Sequence, residues 1–174
     1  MLPLAAADLQ FGTSTLTLGA GAAFPVGGEL TSSFNRGASF AGEYEFGLHR
    51  FLAATIGVEN YVLSSVNCDP RGCSTARERF TLMPFGLRGI IPIAGGRGEL
   101  FAGTGGARLW SNSFLGGPFQ QDNILWQFNG GFRIGLDRAR HFRAGPTVRL
   151  NRDLGRPTQE WLSLTADFSY RFGR

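Results

Sequence analysis

Few residues in this chain are of types that carry covalent or metal chemistry. Cys68 and Cys73 stand in NCDPRGC, residues 67–73, with Pro70 and Gly72 between them to turn the chain. In an exported loop, which is an oxidising setting, that spacing predicts a small local disulfide. Closing so short a ring is worth roughly 2 kcal/mol, so its main effect would be to stiffen the loop. A metal site is the rival reading and lacks further ligands, because the only histidines, His49 and His141, are far away in sequence. No His-Glu-x-x-His, Gly-x-Ser-x-Gly or phosphate-binding Lys loop occurs. The glycine clusters GAGAAF (19–24) and GTGG (103–106) fall inside strand-like stretches, not ahead of helices, so they predict close backbone approach and no nucleotide site. The expectation is a protein that is not an enzyme and uses no cofactor or metal.

The other chemically active groups are charges, and their spacing tells where they sit. In WLSLTADFSYRFGR, residues 161–174, Leu162, Leu164, Ala166, Phe168, Tyr170 and Phe172 alternate with Trp161, Ser163, Thr165, Asp167, Ser169 and Arg171. Period two over that length is a strand with one apolar and one polar face. The same test gives eight candidate strands, at about 9–24, 38–48, 51–65, 78–92, 98–110, 123–138, 141–151 and 160–172. Their polar faces hold Glu43, Glu45, Glu59, Asp137 and Asp167 against Arg88, Arg108, Arg133, Arg143, Arg149 and Arg171. On the fifth strand Phe101, Ala107 and Leu109 are expected on the apolar face, opposite Thr104 and Arg108.

The connections alternate in length. Tight turns are expected near His49–Arg50, 95–97 and Ala139–Arg140, and longer loops at about 25–37, 66–77, 111–122 and 152–159, where Gly, Pro, Asn, Ser and Asp collect. Short turns on one end, long loops on the other and both termini on the short-turn end are the layout of an up-and-down barrel. Two closed eight-stranded barrels compete: a soluble one with an apolar interior, and a membrane one turned inside out. A water-facing sheet should be dense in mixed charge. Each polar face here carries only one to three ionisable groups among Gly, Ala, Ser and Thr, which suits a packed lumen of paired charges. The apolar faces lack charge in their central spans, as a lipid-facing surface requires, since an Arg there would cost roughly 2–4 kcal/mol. Phe24, Phe40, Phe46, Trp126, Phe142, Tyr170 and Phe172 lie towards strand ends, where aromatic girdles would meet lipid headgroups.

The chain of 174 residues, 43% hydrophobic and 13% aromatic, is long enough for one domain with its own core. No apolar run reaches the roughly 18 residues of a membrane helix, which leaves a membrane barrel untouched as a reading. All 17 basic residues are Arg and the net charge is +4, yet no Arg-rich run interleaves with aromatics, so no nucleic-acid partner is expected. LPLAAA at 2–7 reads as the tail of a secretory signal, placing a residual extension at 1–8 and the barrel at 9–172.

In pattern and topology the chain resembles the small eight-stranded bacterial outer-membrane barrels, similar to OmpX and the OmpA transmembrane domain. FSYRF at 168–172 looks like the aromatic last strand that the barrel-assembly machinery reads, although Gly173 and Arg174 follow Phe172. The resemblance implies an all-β, antiparallel, up-and-down transmembrane barrel in the bacterial outer membrane, monomeric, with periplasmic termini. It makes Phe168, Tyr170 and Phe172 an assembly signal for that machinery. Outer-membrane lipid is the expected partner, together with lipopolysaccharide phosphates at Arg36, Arg71, Arg77, Arg152 and Arg156 in the long loops. The expected role is membrane integrity or surface interaction around a side-chain-filled lumen. The alternative is a narrow channel for ions or small solutes.

Overall fold

The computed structural model describes residues 11–28, 31, 34–69, 72–112, 124–153 and 158–173. Alternating side chains and scattered Gly favour extended, strongly curved backbone, and the described chain is eight strands: β1 (Ser14–Gly27), β2 (Phe34–His49), β3 (Leu52–Asp69), β4 (Gly72–Ile93), β5 (Gly98–Asn112), β6 (Ile124–Gly135), β7 (Phe142–Asp153) and β8 (Glu160–Phe172). Each pairs antiparallel with its sequence neighbours, and β8 closes on β1 with Leu16 opposite Tyr170 and Leu18 opposite Phe168. The sheet has no free edge along its closed part, which is how a barrel satisfies every strand. Short turns at 50–51, 94–97 and 136–141 lie at the end where β1 starts and β8 stops.

Among the described residues, the long connections depart furthest from expectation between β3 and β4. The stretch 66–77, expected as a loop, continues the β3–β4 ladder from Ser64 opposite Arg77 to Asp69 opposite Gly72. Turn-forming residues are confined to the tip, and Val66, Thr75 and their neighbours are strand-compatible, so cross-strand pairing carries on beyond the point where β2 stops pairing at Phe34–Ser65. The register puts Cys68 directly opposite Cys73. Their side chains, like residues 1–10, Arg71, Arg156 and most of the other long loops, lie outside the described residues.

Seven strands face as alternation predicts. Outward go Leu16 and Leu18, Phe40 and Tyr44, Ile56 and Val58, Phe85 and Leu87, Trp126 and Phe128, Phe142 and Val148, Leu164 and Phe168, all exposed. β5 is inverted relative to expectation: Phe101, Ala107 and Leu109 are buried inside, while Arg108 points outward. The pairing of β5 with β4 and β6 fixes this, since Arg88 and Arg133 must be inside and bring odd-numbered β5 residues in with them.

Among the described residues, outward charge is confined to the two ends. Arg36, Arg77, Arg79, Arg108 and Arg152 ring the loop end, and Arg50, Arg97 and Arg138 the short-turn end. Aromatics band the short-turn end: Phe142 lies 4.9 Å from Tyr170 and 5.8 Å from Phe168, and Tyr170 lies 6.0 Å from Phe172. The three residues expected as an assembly signal thus join Phe142 of β7 in one outward aromatic cluster on β7 and β8. An apolar waist between charged rims is the exterior of a membrane barrel.

Candidate functional site: a doubly closed lumen

The interior is built in layers from inward residues of every strand. Near the short turns, Glu43 and Glu45 from β2 meet Arg88 from β4, Glu99 from β5, Arg133 from β6, Arg143 from β7 and Arg171 from β8. Arg88 holds Glu43 with both terminal nitrogens, the second at 2.7 Å, donates to Glu45 at 2.9 Å, and donates to Asn129 at 3.0 Å. Arg133 spans Glu45 at 3.3 Å and Glu99 at 3.5 Å. Glu99 also pairs with Arg143 and accepts from Arg171 at 3.1 Å, so it joins three guanidinium groups. Phe101 supports this layer: the Arg88 and Arg133 guanidinium carbons stand 4.6 and 4.4 Å from its ring centroid. Gly131 makes room for that ring, since a Cβ there would come within 2.7 Å of it.

The next layer centres on Arg149 of β7. It pairs with Glu59 at 3.1 Å and with Asp167 at 3.0 Å, and donates to Thr165 at 2.6 Å. Asp167 accepts further bonds from Thr147 and Thr165, both at 2.6 Å. It fits only because Gly19 faces it, where a Cβ would lie 2.2 Å from a carboxylate oxygen. Glu59 accepts from Tyr61 at 2.5 Å and Gln127 at 3.0 Å, while Asn151 links Gln127 to Tyr61.

Above Tyr61 the lumen turns apolar. Tyr61, Phe80 and Trp161 pack with centroids 5.0–5.8 Å apart, joined by Phe34, Leu63, Leu82, Leu109 and Leu125. The interior is therefore closed twice, by an ionic layer towards the short turns and by an aromatic plug towards the loops.

Of the eleven charges expected in the lumen, nine are there: Glu43, Glu45, Glu59, Arg88, Arg133, Arg143, Arg149, Asp167 and Arg171. Arg108 is not, for the register reason above. Asp137 is not either: it lies in the β6–β7 turn, where its carboxylate accepts the Phe142 N–H at 2.9 Å. Although desolvation would raise its pKa, backbone N–H bonds from Phe142 and His141 hold that carboxyl below its usual range. Glu99 was missed. With it the two layers contain five carboxylates and five guanidinium groups, a closer balance than expected, while buried Asp153 sits further towards the loops beside Leu125. The signal was present in the sequence, since Glu99 shares parity with Phe101 and no glutamate belongs on a lipid face.

No family model matches the chain, and no curated protein matches it. Solved structures match by fold. The outer membrane protein OprG from Pseudomonas aeruginosa superposes with a TM-score of 0.65 at 10% identity, over 95% of this chain and 98% of that one. A de novo designed transmembrane β-barrel gives 0.54 at 10% identity, over 95% and 99%. Ail, the attachment invasion locus protein of Yersinia pestis, gives 0.51 at 11% identity, over 94% and 100%. The chain has the fold of the small eight-stranded outer-membrane β-barrels.

Proposed function

We propose that this is a bacterial outer-membrane β-barrel with periplasmic termini, monomeric and non-enzymatic, whose closed barrel serves membrane integrity or surface interaction. The observation that carries the reading is the lumen: paired charges and an aromatic plug occupy it in series, and buried charge held this way is costly to disturb. Outward arginines at the loop end, Arg36, Arg77, Arg79, Arg108 and Arg152, outnumber the one acid described beside them, Glu160, which pairs with Arg152 at 3.2 Å. That belt suits lipopolysaccharide phosphates as partner. The outward Phe168, Tyr170 and Phe172 of β8 are offered to the barrel-assembly machinery. A Cys68–Cys73 disulfide across the β3–β4 hairpin belongs to the same reading.

A narrow ion path is the second reading, favoured by the polar side chains that run from Arg171 through Arg149 to Tyr61. Planar-bilayer conductance of protein whose folding is verified by heat-modifiability separates the two. The expected result is no steady conductance; large, steady openings of the wild type would replace the closed barrel with the channel.

A further inference from the structure

We infer that the outer wall near the short-turn end holds one anionic phospholipid, an acyl chain in a groove over β4 and β5 and the phosphate among arginines at its mouth. The groove is a cavity of about 300 Å³ lined by the exposed Phe51, Gly89, Ile91, Leu100 and Ala102 and reaching the buried Ile90 and Phe101. It exists because of side-chain size. Gly89 pairs with Ala102 on one side and Leu52 on the other, so two adjacent outward positions carry almost nothing between the taller Leu87, Ile91 and Leu100. In a bilayer such a depression fills with hydrocarbon; the charge at its end decides whether one lipid is preferred.

That end is basic from two sides. Phe51, which forms one wall, carries the Arg50 guanidinium 4.4 Å from its ring centroid. Arg97 ends the β4–β5 turn three residues before Leu100, and its carbonyl accepts the Gly135 N–H at 2.7 Å, which ties this turn to the start of the β6–β7 turn. There a second, polar cavity of about 290 Å³ is bordered by Arg97, Gly135, Leu136, Asp137, Arg138 and Arg140. Asp137 is the one acid in that lining, and its carboxylate is engaged by the Phe142 N–H. Guanidinium forks match phosphate oxygens, and no lining residue other than Asp137 offsets them. A phosphodiester with hydrocarbon tails matches an apolar groove that has arginines beside it. A zwitterionic lipid offers the same tails, but its ammonium is repelled by the same arginines.

The inference rests on the lipid-facing exterior of the proposed reading, and the two fail differently, since a soluble barrel would stay folded and dispersed without detergent or lipid. The test is native mass spectrometry of folded protein released from micelles that hold chain-matched phosphatidylglycerol and phosphatidylcholine in equal amounts. One phosphatidylglycerol should be retained in about tenfold preference. The double variant Arg50→Gln/Arg97→Gln should abolish the preference, and Ala102→Phe, which fills the groove, should lower retention of both lipids. Equal retention by the wild type, a preference unmoved by the arginine changes, retention unmoved by Ala102→Phe, or displacement of phosphatidylglycerol by added lipid A would each overturn the assignment. Should a variant fail to fold, the wild-type ratio decides alone.

Discussion

Glu99 shows how much one side chain can hold in this interior. Its two oxygens serve Arg133, Arg143 and Arg171, contributed by three different strands. Glu99→Gln keeps the volume and removes the charge, leaving three cations around a neutral amide. Breaking a buried pair in this way costs about 3–5 kcal/mol, so the urea midpoint for unfolding from detergent or bilayers should fall markedly while the folded barrel still migrates as such. An unchanged midpoint would mean that water already shields these groups. At the other end of the molecule the register of Cys68 opposite Cys73 makes a defined chemical expectation. Protein from an oxidising compartment should take up maleimide at these positions only after reduction, and the double Ser variant should still fold because the ladder does not depend on them. Rapid labelling without reductant would remove the disulfide from the proposal.

At the scale of elements, β5 is the strand that alternation alone misread. Its sequence GELFAGTGGARLWSN offers apolar side chains at both parities, Leu100 on one and Phe101, Ala107 and Leu109 on the other. Neighbours decide: Glu99 stands opposite Arg133, and Arg88 opposite Gly103, both within the lumen. An environment-sensitive label at Leu100 should therefore report lipid and one at Phe101 a protein interior. Labels at Leu164 and Thr165 on β8, where pattern and structure agree, serve as the outward and inward references. Lipid contact at Phe101 with burial at Leu100 would restore the reading in which Arg108 enters the lumen. The β3–β4 hairpin teaches the complementary lesson. Polar, turn-rich composition around Cys68 looked like a loop, yet two strands already paired can extend a ladder through Ser, Thr and Asn at little cost.

The whole molecule places two barriers in series, and this shapes what mutations should do. Trp161 and Phe80 seal the loop side, while Arg88, Arg133 and Glu45 seal the turn side. Truncating Trp161 to Ala should cost about 3–5 kcal/mol through the cavity it leaves, but conductance should stay near the wild-type level because the ionic layer still blocks the path. Combining Trp161→Ala with Arg133→Ala should open both and give a leak greater than either single variant. Equal leak from Trp161→Ala alone and from the double variant would show that the aromatic plug is the only barrier.

Alternation in the sequence was enough to specify eight strands, their order, the inside-out placement of charge and nine of the lumen ions, because a two-residue period is a local property that any strand between lipid and a packed interior must obey. It also placed Phe168, Tyr170 and Phe172 together on the outward face. Tertiary structure alone decided the facing of β5, the exclusion of Arg108 and Asp137, and which carboxylate meets which guanidinium. Those depend on register between strands and on where each turn begins, and register is set by the combined demands of two neighbouring strands, which no single stretch of sequence contains.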